Sequence, residues 1–556
     1  MSTKPTPPQS HRVAASDDLE VSAYLEIAEE KEGRASLSDV YQRTQRESIL
    51  VIDFGSQYSR LITRRVRETN VYCELIQHTA DWESVSHLNP KGVILSGGPA
   101  SVFEPGAPLA PTWVFEKGLP VLGICYGMQA LVHQLGGKVE PSTKREYGHS
   151  VLHQNGGDHP LFDDLSQSIP VWMSHGDRIA SQPQGFRSVA YTENSPIAAT
   201  ANDQNIIGIQ FHPEVVHTPD GKQILDNFVH KICGCGRDWT PSNFVEDAIN
   251  DIRRQVGNGK VICALSGGVD SAVAASLVHR AIGDQLTCIF VNNGLMRREE
   301  PERILDTFER NLKVNLVYVD AADEFVDGLS EVIDPEDKRR TVGEQFIKVF
   351  DREAARLGEV DFLAQGTLYP DVIESQTPGD NVSAKIKTHH NVGGLPKDMK
   401  LKLVEPLRYL FKDEVRKVGL ELGLAEEIVY RQPFPGPGLS IRVMGPVTRE
   451  KVAMLQAADW IVMDEIKGNN LYRDLWQSFA VLTDTLSVGV VGDFRAYGHV
   501  VAIRAVTSDE AMTADWARLP YDVLGRISNR IVNEVPGVSR VVYDITSKPP
   551  GTIEWE

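Results

Sequence analysis

Ser266-Gly267-Gly268-Val269-Asp270-Ser271 decides how this chain is read. Residues 260–265 before it, Lys-Val-Ile-Cys-Ala-Leu, are a short apolar run of strand length. Residues 272–282 after it have helical composition and meet no breaker until Gly283. A buried strand thus enters a helix through a glycine turn, the junction expected of an α/β layer. Gly267 and Gly268 let backbone N–H groups approach an anion closely, and the helix start adds unpaired donors and a partial positive charge. Ser266 and Ser271 add hydroxyl donors. The stretch therefore reads as a phosphate cradle. It lacks the G-x-x-x-x-G-K-[ST] pattern and that pattern's lysine. Asp270 would repel a second anion unless a cation comes with it, which points to Mg²⁺.

A chain of 556 residues has room for two to four domains of ordinary size. Hydrophobic residues at 41% and charged residues at 24% suit a globular protein with full cores. The net charge of −19 disfavours a long nucleic-acid surface, and no apolar run is of membrane-helix length. The N-terminus lacks a signal-peptide apolar region. Six scattered cysteines do not form a disulfide framework, so a reducing cytoplasm is the expected setting. Cys233-Gly-Cys235 has no second ligand pair at zinc spacing and reads as structural.

Residues 1–47 read as a flexible extension with no chemistry, carrying either a short helix over 17–31 or only a transient one. From 48 to 237, strand runs at 49–54, 72–75, 92–96 and 119–124 alternate with helical segments, which predicts an open parallel sheet. Ligands of such sheets gather at the carboxyl ends of the strands. There lies Gly123-Ile-Cys125-Tyr126-Gly127, a cysteine version of the nucleophile elbow. The helix start would favour its thiolate. Gly97-Gly98 offers backbone donors for an oxyanion beside the N–H of Tyr126. In Phe211-His212-Pro213-Glu214, His212 and Glu214 are two apart on an extended segment and leave it on one side. A Cys125–His212–Glu214 set follows, with thiolate as nucleophile, imidazole as proton shuttle and carboxylate as its holder.

A composition shift near 238 and Pro241 open a second segment, 238–432, with strands expected at 260–265, 286–291 and 361–365. Asp371 follows the last of these and is a candidate Mg²⁺ ligand. Residues 375–400 read as a phosphate-clamping lid carrying Lys385, Lys387, His389 and His390. A third module, 433–556, shows strand-like runs at 439–444, 478–482, 500–506 and 539–545 and helices at 449–467 and 521–532, which suggests a small α+β domain. The proline-stiffened tail, Ser547 to Glu556, suits a segment that reaches into a site.

The SGGVDS string resembles the PP-loop of ATP pyrophosphatases. The strings GICYGMQ, SGGP, SHGD and FHPE resemble a class I glutamine amidotransferase over residues 48–237. Adding DFGSQYS, KTHHNVGGLP, RQPFPGPGL and ITSKPPGTIEWE, the chain from Ser48 to Glu556 resembles the glutamine-hydrolysing GMP synthases. The resemblance implies two open parallel-sheet α/β domains plus a small α+β dimerisation domain. It implies glutamine, ATP and XMP as substrates, Mg²⁺ with the ATP, a homodimer through residues 433–556, and no nucleic-acid or membrane partner. It places the oxyanion hole at Gly98 and Tyr126 and glutamine contacts at Gln129 and Asp177. ATP contacts would be Ser266, Gly267, Gly268, Val269, Asp270, Ser271, Val291, Gly366 and Lys387. XMP contacts would be Arg339, Gln477, Arg540, Lys548, Ile553 and Glu554, and metal ligands Asp270 and Asp371. Alternatives are another PP-loop amidoligase and a non-catalytic regulatory homologue.

Overall fold

The computed structural model describes residues 46–375 and 401–556, apart from 57, 157, 158, 492, 509, 510 and 512. The expected helix at 17–31 and the lid with Lys385, Lys387, His389 and His390 lie outside the described residues. The chain divides into two units, the first ending at Phe244 and the second running from Val245 to Glu556.

The first unit is built on β1 (Ser48–Asp53), β2 (Tyr72–Gln77), β3 (Pro90–Leu95), β4 (Val121–Ile124), β5 (Lys138–Gln154), β6 (Ser168–Ser181), β7 (Arg187–Tyr191), β8 (Ala199–Ala201) and β9 (Ile206–Ile209). They form one sheet in the order β2-β1-β3-β4-β9-β8-β7-β5-β6. The β2-β1-β3-β4-β9 portion is parallel. Its strands read as unbroken apolar runs because both faces are covered: Ile49 to Ile52, Val93 to Leu95 and Val121 to Ile124 are buried throughout. Ile62 and Val66 of helix Ser59–Arg67 are fully buried. The antiparallel β8-β7-β5-β6 wing adds to the expected parallel core. Its β6 alternates exposed and buried residues, as a sheet with one wet face must.

In the second unit, β10 (Val261–Leu265), β11 (Leu286–Asn292), β12 (Asn315–Asp320), β13 (Phe362–Ala364) and β14 (Lys402–Val404) form a parallel sheet, β12-β11-β10-β13-β14. The central strand β10 leads into helix Val269–Ile282. The α+β module pairs β15 (Gln477–Val491) antiparallel to β16 (Phe494–Thr507), which also takes β17 (Asp515–Trp516) and, in parallel, β18 (Val538–Tyr543). Helices Arg449–Gly468, capped by the Thr448 side chain, and Tyr521–Glu534 complete it. One apolar core runs through both layers and includes Ile289, Leu295, Leu439, Val443, Ile461 and Val501.

The run at 439–444 is not the strand its composition suggests. Residues Gly438–Arg442 form a short 3-10 turn, and only Val443 bridges Leu482. Gly438 has φ +64, and a Cβ there would lie 2.5 Å from the Leu295 carbonyl. The close backbone approach bends the chain, and the Leu439 N–H donates to that same carbonyl at 2.7 Å. The run is apolar because the turn itself is buried.

Candidate active site

In the first unit, the turn after β4 is held by two glycines. A Cβ at Gly127 would lie 2.3 Å from the Leu95 carbonyl oxygen, and one at Gly123 would lie 2.7 Å from the backbone around Gly127. Only hydrogen fits at either place, so strand and helix close tightly around Cys125. Cys125 takes φ +53, ψ −106 just before helix Tyr126–Gln134. That conformation is costly for a side-chain-bearing residue and lifts the thiol out of the strand–helix junction.

His212 lies by the sulfur, and Glu214 holds the ring through Nδ1. His212 Nδ1 lies 2.6 Å from Glu214 Oε1, and both residues are buried. Burial disfavours the imidazolium, but the Glu214 carboxylate and the Cys125 sulfur outweigh it and raise His212 to about 11. Tyr58, from the DFGSQYS string, packs edge-on against the imidazole at 5.7 Å. The predicted Cys125, His212 and Glu214 thus come together.

The surrounding residues form a connected polar set. The Cys125 thiol donates to the Ser174 carbonyl at 3.5 Å. Gln129 Nε2 donates to the Asp177 carbonyl at 3.3 Å, and Asp177 Oδ2 accepts from Ser101 Oγ at 2.7 Å. Gly98 sits under Tyr126: a Cβ there would lie 3.1 Å from that ring and 3.1 Å from the Phe54 carbonyl. Sequence reasoning missed two members. Gln210 Nε2 lies 3.8 Å from Cys125 Sγ. Its signal was available, because Gln210 lies two residues before His212, directly after β9. Glu146 left no such signal. Its buried carboxylate accepts from Ser150 at 2.7 Å, Ser195 at 2.8 Å and Thr192 at 3.0 Å. It also faces His175, whose Nδ1 donates to the Asp177 carbonyl at 2.9 Å. Burial would raise Glu146, but those donors bring it down to about 2.

In the second unit, the Ser266–Ser271 loop closes on itself. Gly268 N–H donates to Ser266 Oγ at 3.3 Å, and Ser271 Oγ donates to the Gly268 carbonyl at 3.1 Å. Gly267 has φ +77, and the backbone N–H groups at the start of helix Val269–Ile282 open onto the loop. Gly366 packs on Asp270, where a Cβ would lie 3.1 Å away. Val291 is buried near the end of β11. Asp270 Oδ2 accepts from Lys412 Nζ at 2.6 Å, while its Oδ1 is buried without a hydrogen-bond partner. No sequence pattern marked Lys412 as that partner. Asp371 Oδ2 caps the Leu368 N–H at 2.8 Å at the start of helix Tyr369–Ser375.

Of the predicted purine-nucleotide contacts, Arg339, Gln477, Ile553 and Glu554 gather around the C-terminal tail. Glu554 accepts from Arg442 Nη2 at 2.7 Å, Arg442 Nε at 3.0 Å and Gln477 Nε2 at 2.7 Å. Arg339 Nη2 donates to the Glu556 carbonyl at 2.7 Å, and its Nη1 is buried and unpartnered. The buried Arg504 fastens the tail through the carbonyls of Thr546, at 2.6 Å, and Thr552, at 3.0 Å. Arg540 and Lys548 are engaged elsewhere. Arg540 donates to Ser487 Oγ at 2.8 Å, and Lys548 Nζ donates to the Ala511 carbonyl at 2.8 Å.

Known proteins resemble this chain along most of its length. Residues 50–232 match the family described as Glutamine amidotransferase class-I. Residues 464–555 match the GMP synthase C terminal domain, and residues 259–335 match the tRNA methyl transferase HUP domain. A GMP synthase (glutamine-hydrolyzing) of Dehalococcoides mccartyi is 64% identical over 96% of this chain and 100% of its own. The enzyme of that name from Thermomicrobium roseum is 60% identical over 92% of this chain and 97% of its own. That of Carboxydothermus hydrogenoformans is 56% identical over 91% and 99%.

Proposed function

The chain belongs to the glutamine-hydrolysing GMP synthases, and from that premise we propose how its residues divide the work. Residues 48–237 release ammonia from glutamine, residues 238–432 adenylate XMP with ATP, and residues 433–556 complete the XMP site. The observation that carries the reading is Cys125 at φ +53, with the His212 imidazole, whose charge its sulfur favours, held by Glu214 at 2.6 Å.

The Cys125 thiolate adds to the side-chain amide carbon of glutamine. The oxyanion that forms is met by the N–H groups of Gly98 and Tyr126, and Gln129 and Asp177 hold the substrate. His212, charged at neutral pH, protonates the departing nitrogen, and ammonia leaves with a thioester on Cys125. The imidazole, now neutral, takes a proton from water as the water attacks the thioester. Glutamate leaves, and the proton returns the site to its starting state. Glu214 holds the ring and offsets its positive charge throughout.

In the second unit, the O2 of XMP attacks the α-phosphate of ATP. Pyrophosphate departs into the cradle of Ser266, Gly267, Gly268, Val269, Asp270 and Ser271. Val291 and Gly366 border the nucleotide, and Lys387 would complete the clamp. Ammonia then adds at C2 of the purine and AMP leaves, giving GMP. Arg339, Gln477, Ile553 and Glu554 hold the XMP from one side, and Arg540 and Lys548 would supply charge for its phosphate by giving up their bonds to Ser487 and the Ala511 carbonyl. The orphan Oδ1 of Asp270 is the kind of hard oxygen Mg²⁺ takes. Asp270 and Asp371 would hold that ion, which when bound neutralises charge on the leaving pyrophosphate.

The partner we propose is a second copy of the chain. On the β15–β16 hairpin, Leu486, Val488, Val490, Phe494 and Tyr497 are apolar and exposed, an edge that water does not favour. All six cysteines are free, which suits a reducing cytoplasm. Among the described residues no helix is long and apolar enough to cross a membrane.

Incubation with XMP, ATP and glutamine should give GMP, AMP, pyrophosphate and glutamate. Cys125→Ala should abolish the glutamine-driven reaction and keep the one driven by ammonium. Loss of both in a folded variant would end this division of labour.

A further inference from the structure

Phe434, in the Gln432-Pro-Phe-Pro-Gly turn, has three guanidinium groups around one ring. Arg442 lies 5.1 Å from the ring centre, Arg297 5.3 Å and Arg431 5.4 Å. Three cations so placed repel one another, and each is matched by its own carboxylate. Arg297 pairs with Asp459 at 2.8 Å, Arg431 with Glu300, and Arg442 with Glu554 at 2.7 Å. Glu300 also accepts the Arg297 backbone N–H at 3.1 Å, which links two of the pairs. The negative face of an aromatic ring attracts all three guanidiniums, where an aliphatic side chain of similar bulk would only fill space.

Two of these arginines end on the proposed sites. Arg431 Nη1 donates to the carbonyl of Gly267 in the nucleotide loop. In a planar trans peptide the next N–H points the opposite way, so fixing that carbonyl also fixes the Gly268 N–H. Arg442 is fully buried, lies 3.9 Å from the Phe479 ring centre as well, and grips both oxygens of Glu554. Such a fork sets both the orientation and the charge of a carboxylate. Gln477 adds a hydrogen bond to Glu554 at 2.7 Å and one to the Pro433 carbonyl, beside Phe434, at 3.1 Å.

We infer that Phe434 is a positioning residue shared by both halves of the synthetase reaction. Through Arg431 it sets the loop that receives pyrophosphate, and through Arg442 it sets the Glu554 carboxylate that receives the purine. The inference rests on the reading of those two sites given above. It adds that one ring keeps them in register.

The test uses the full chain, pyrophosphate release driven by ammonium chloride, and separate titrations of ATP and XMP. Phe434→Leu should raise both KM values, by roughly threefold to thirtyfold if the ring's hold on its cations is lost, with a smaller change in kcat. Phe434→Tyr, which keeps the ring, should restore both. Arg442→Lys keeps the charge but loses the fork, and should raise the KM for XMP while sparing that for ATP. If Phe434→Leu does not fold, the selectivity of Arg442→Lys carries the test. Unchanged KM values in a folded Phe434→Leu, or a rise for one substrate only, overturn the inference. So does an Arg442→Lys variant whose two KM values move together. Glu554→Gln separates the premise from the inference. If it leaves the KM for XMP unchanged, Glu554 is not a purine contact and the reading of that site fails. If it raises that KM while Phe434→Leu does nothing, the site reading stands and the shared ring falls.

Discussion

Replacing Glu214 by Gln keeps the shape of the side chain and removes its charge. The carboxylate is fully buried and lies 2.6 Å from His212 Nδ1, with no other positively charged group paired to it among the described residues. Breaking a buried pair this way costs about 3–5 kcal/mol if the remaining charge stays in place. The site avoids that cost by releasing the proton. Burial, which opposes the imidazolium, then acts with one raising influence fewer, and His212 falls from about 11 toward its ordinary value. The sign is fixed by that fall. In the parent the imidazolium is complete at pH 7 and is lost only as the pH rises toward about 11. In the variant it is lost through the neutral range, and with it the proton donor to the departing ammonia. Glutamine hydrolysis at pH 7 should drop several-fold from the lost imidazolium alone, and up to about 10²- to 10⁴-fold, the usual worth of a placed acid–base group, if the ring also loses its position. It should also lose activity as the pH rises from 6 to 8, where the parent does not. Glutamate formation, measured across that range with XMP and ATP present, reads both effects, and ammonium-driven GMP formation is the control. Hydrolysis within threefold of the parent, or an equal loss in the ammonium-driven reaction, would refute the reasoning.

Three shorter expectations follow from other sites. Asp270→Asn removes the carboxylate charge that faces Lys412 and leaves one amide oxygen where two carboxylate oxygens stood, and should stop pyrophosphate release with either nitrogen source; normal release would take the loop out of the mechanism. Glu146→Gln leaves Ser150, Ser195 or His175 without an acceptor and should lower stability at pH 7 by about 1–3 kcal/mol. Because Glu146 is depressed to about 2 when folded, its contribution is present above the ordinary value of 4.5 and is lost as the pH falls toward 2. The melting-temperature gap between parent and variant should therefore narrow in acid, and a gap that widens would be contrary. Phe494→Asp with Tyr497→Asp charges the exposed hairpin and should leave a monomer in sedimentation, whereas an unchanged dimer would place the contact elsewhere.

The parts of the fold legible in the sequence were those whose pattern is local. The runs at Ile49, Val93, Val121 and Val261 read as strands because both faces of a parallel sheet demand apolar residues. Cys125 and the loop at Ser266 stood out because glycine turns between strand and helix leave few alternatives. The wing of β5 and β6 did not stand out. Its strands alternate and carry Pro141, His149 and Pro170, so no single window exceeds the signal of a loop. Residues 439–444 misled for the opposite reason: a buried turn is as apolar as a buried strand. Two other pairs of partners distant in sequence left no mark. Lys412 lies 142 residues from Asp270, and Arg442 lies 112 from Glu554; neither pairing follows from spacing.

The two units share one device and put it to different chemical use. In each, a central parallel strand ends in a tight turn and a helix begins at once. Each turn has a residue with positive φ, Cys125 at +53 and Gly267 at +77. At Gly267 the residue has no side chain, so the backbone itself forms the concave surface and its N–H groups can meet an anion. At Cys125 the same kind of bend carries a thiol, and the strain that glycine would have relieved is retained to hold the sulfur above the sheet. Gly123 and Gly127 make that possible: their missing Cβ atoms let the helix close on β3 and β4, so the surroundings and not Cys125 fix the bend. It follows that Gly127→Ala, although not in contact with glutamine, should cost about 1–3 kcal/mol through overpacking against Leu95. It should also displace the thiol. Glutamine hydrolysis in that variant should fall further than its melting temperature implies, while ammonium-driven synthesis persists. If hydrolysis falls only in proportion to the folded fraction, the tight turn serves stability alone.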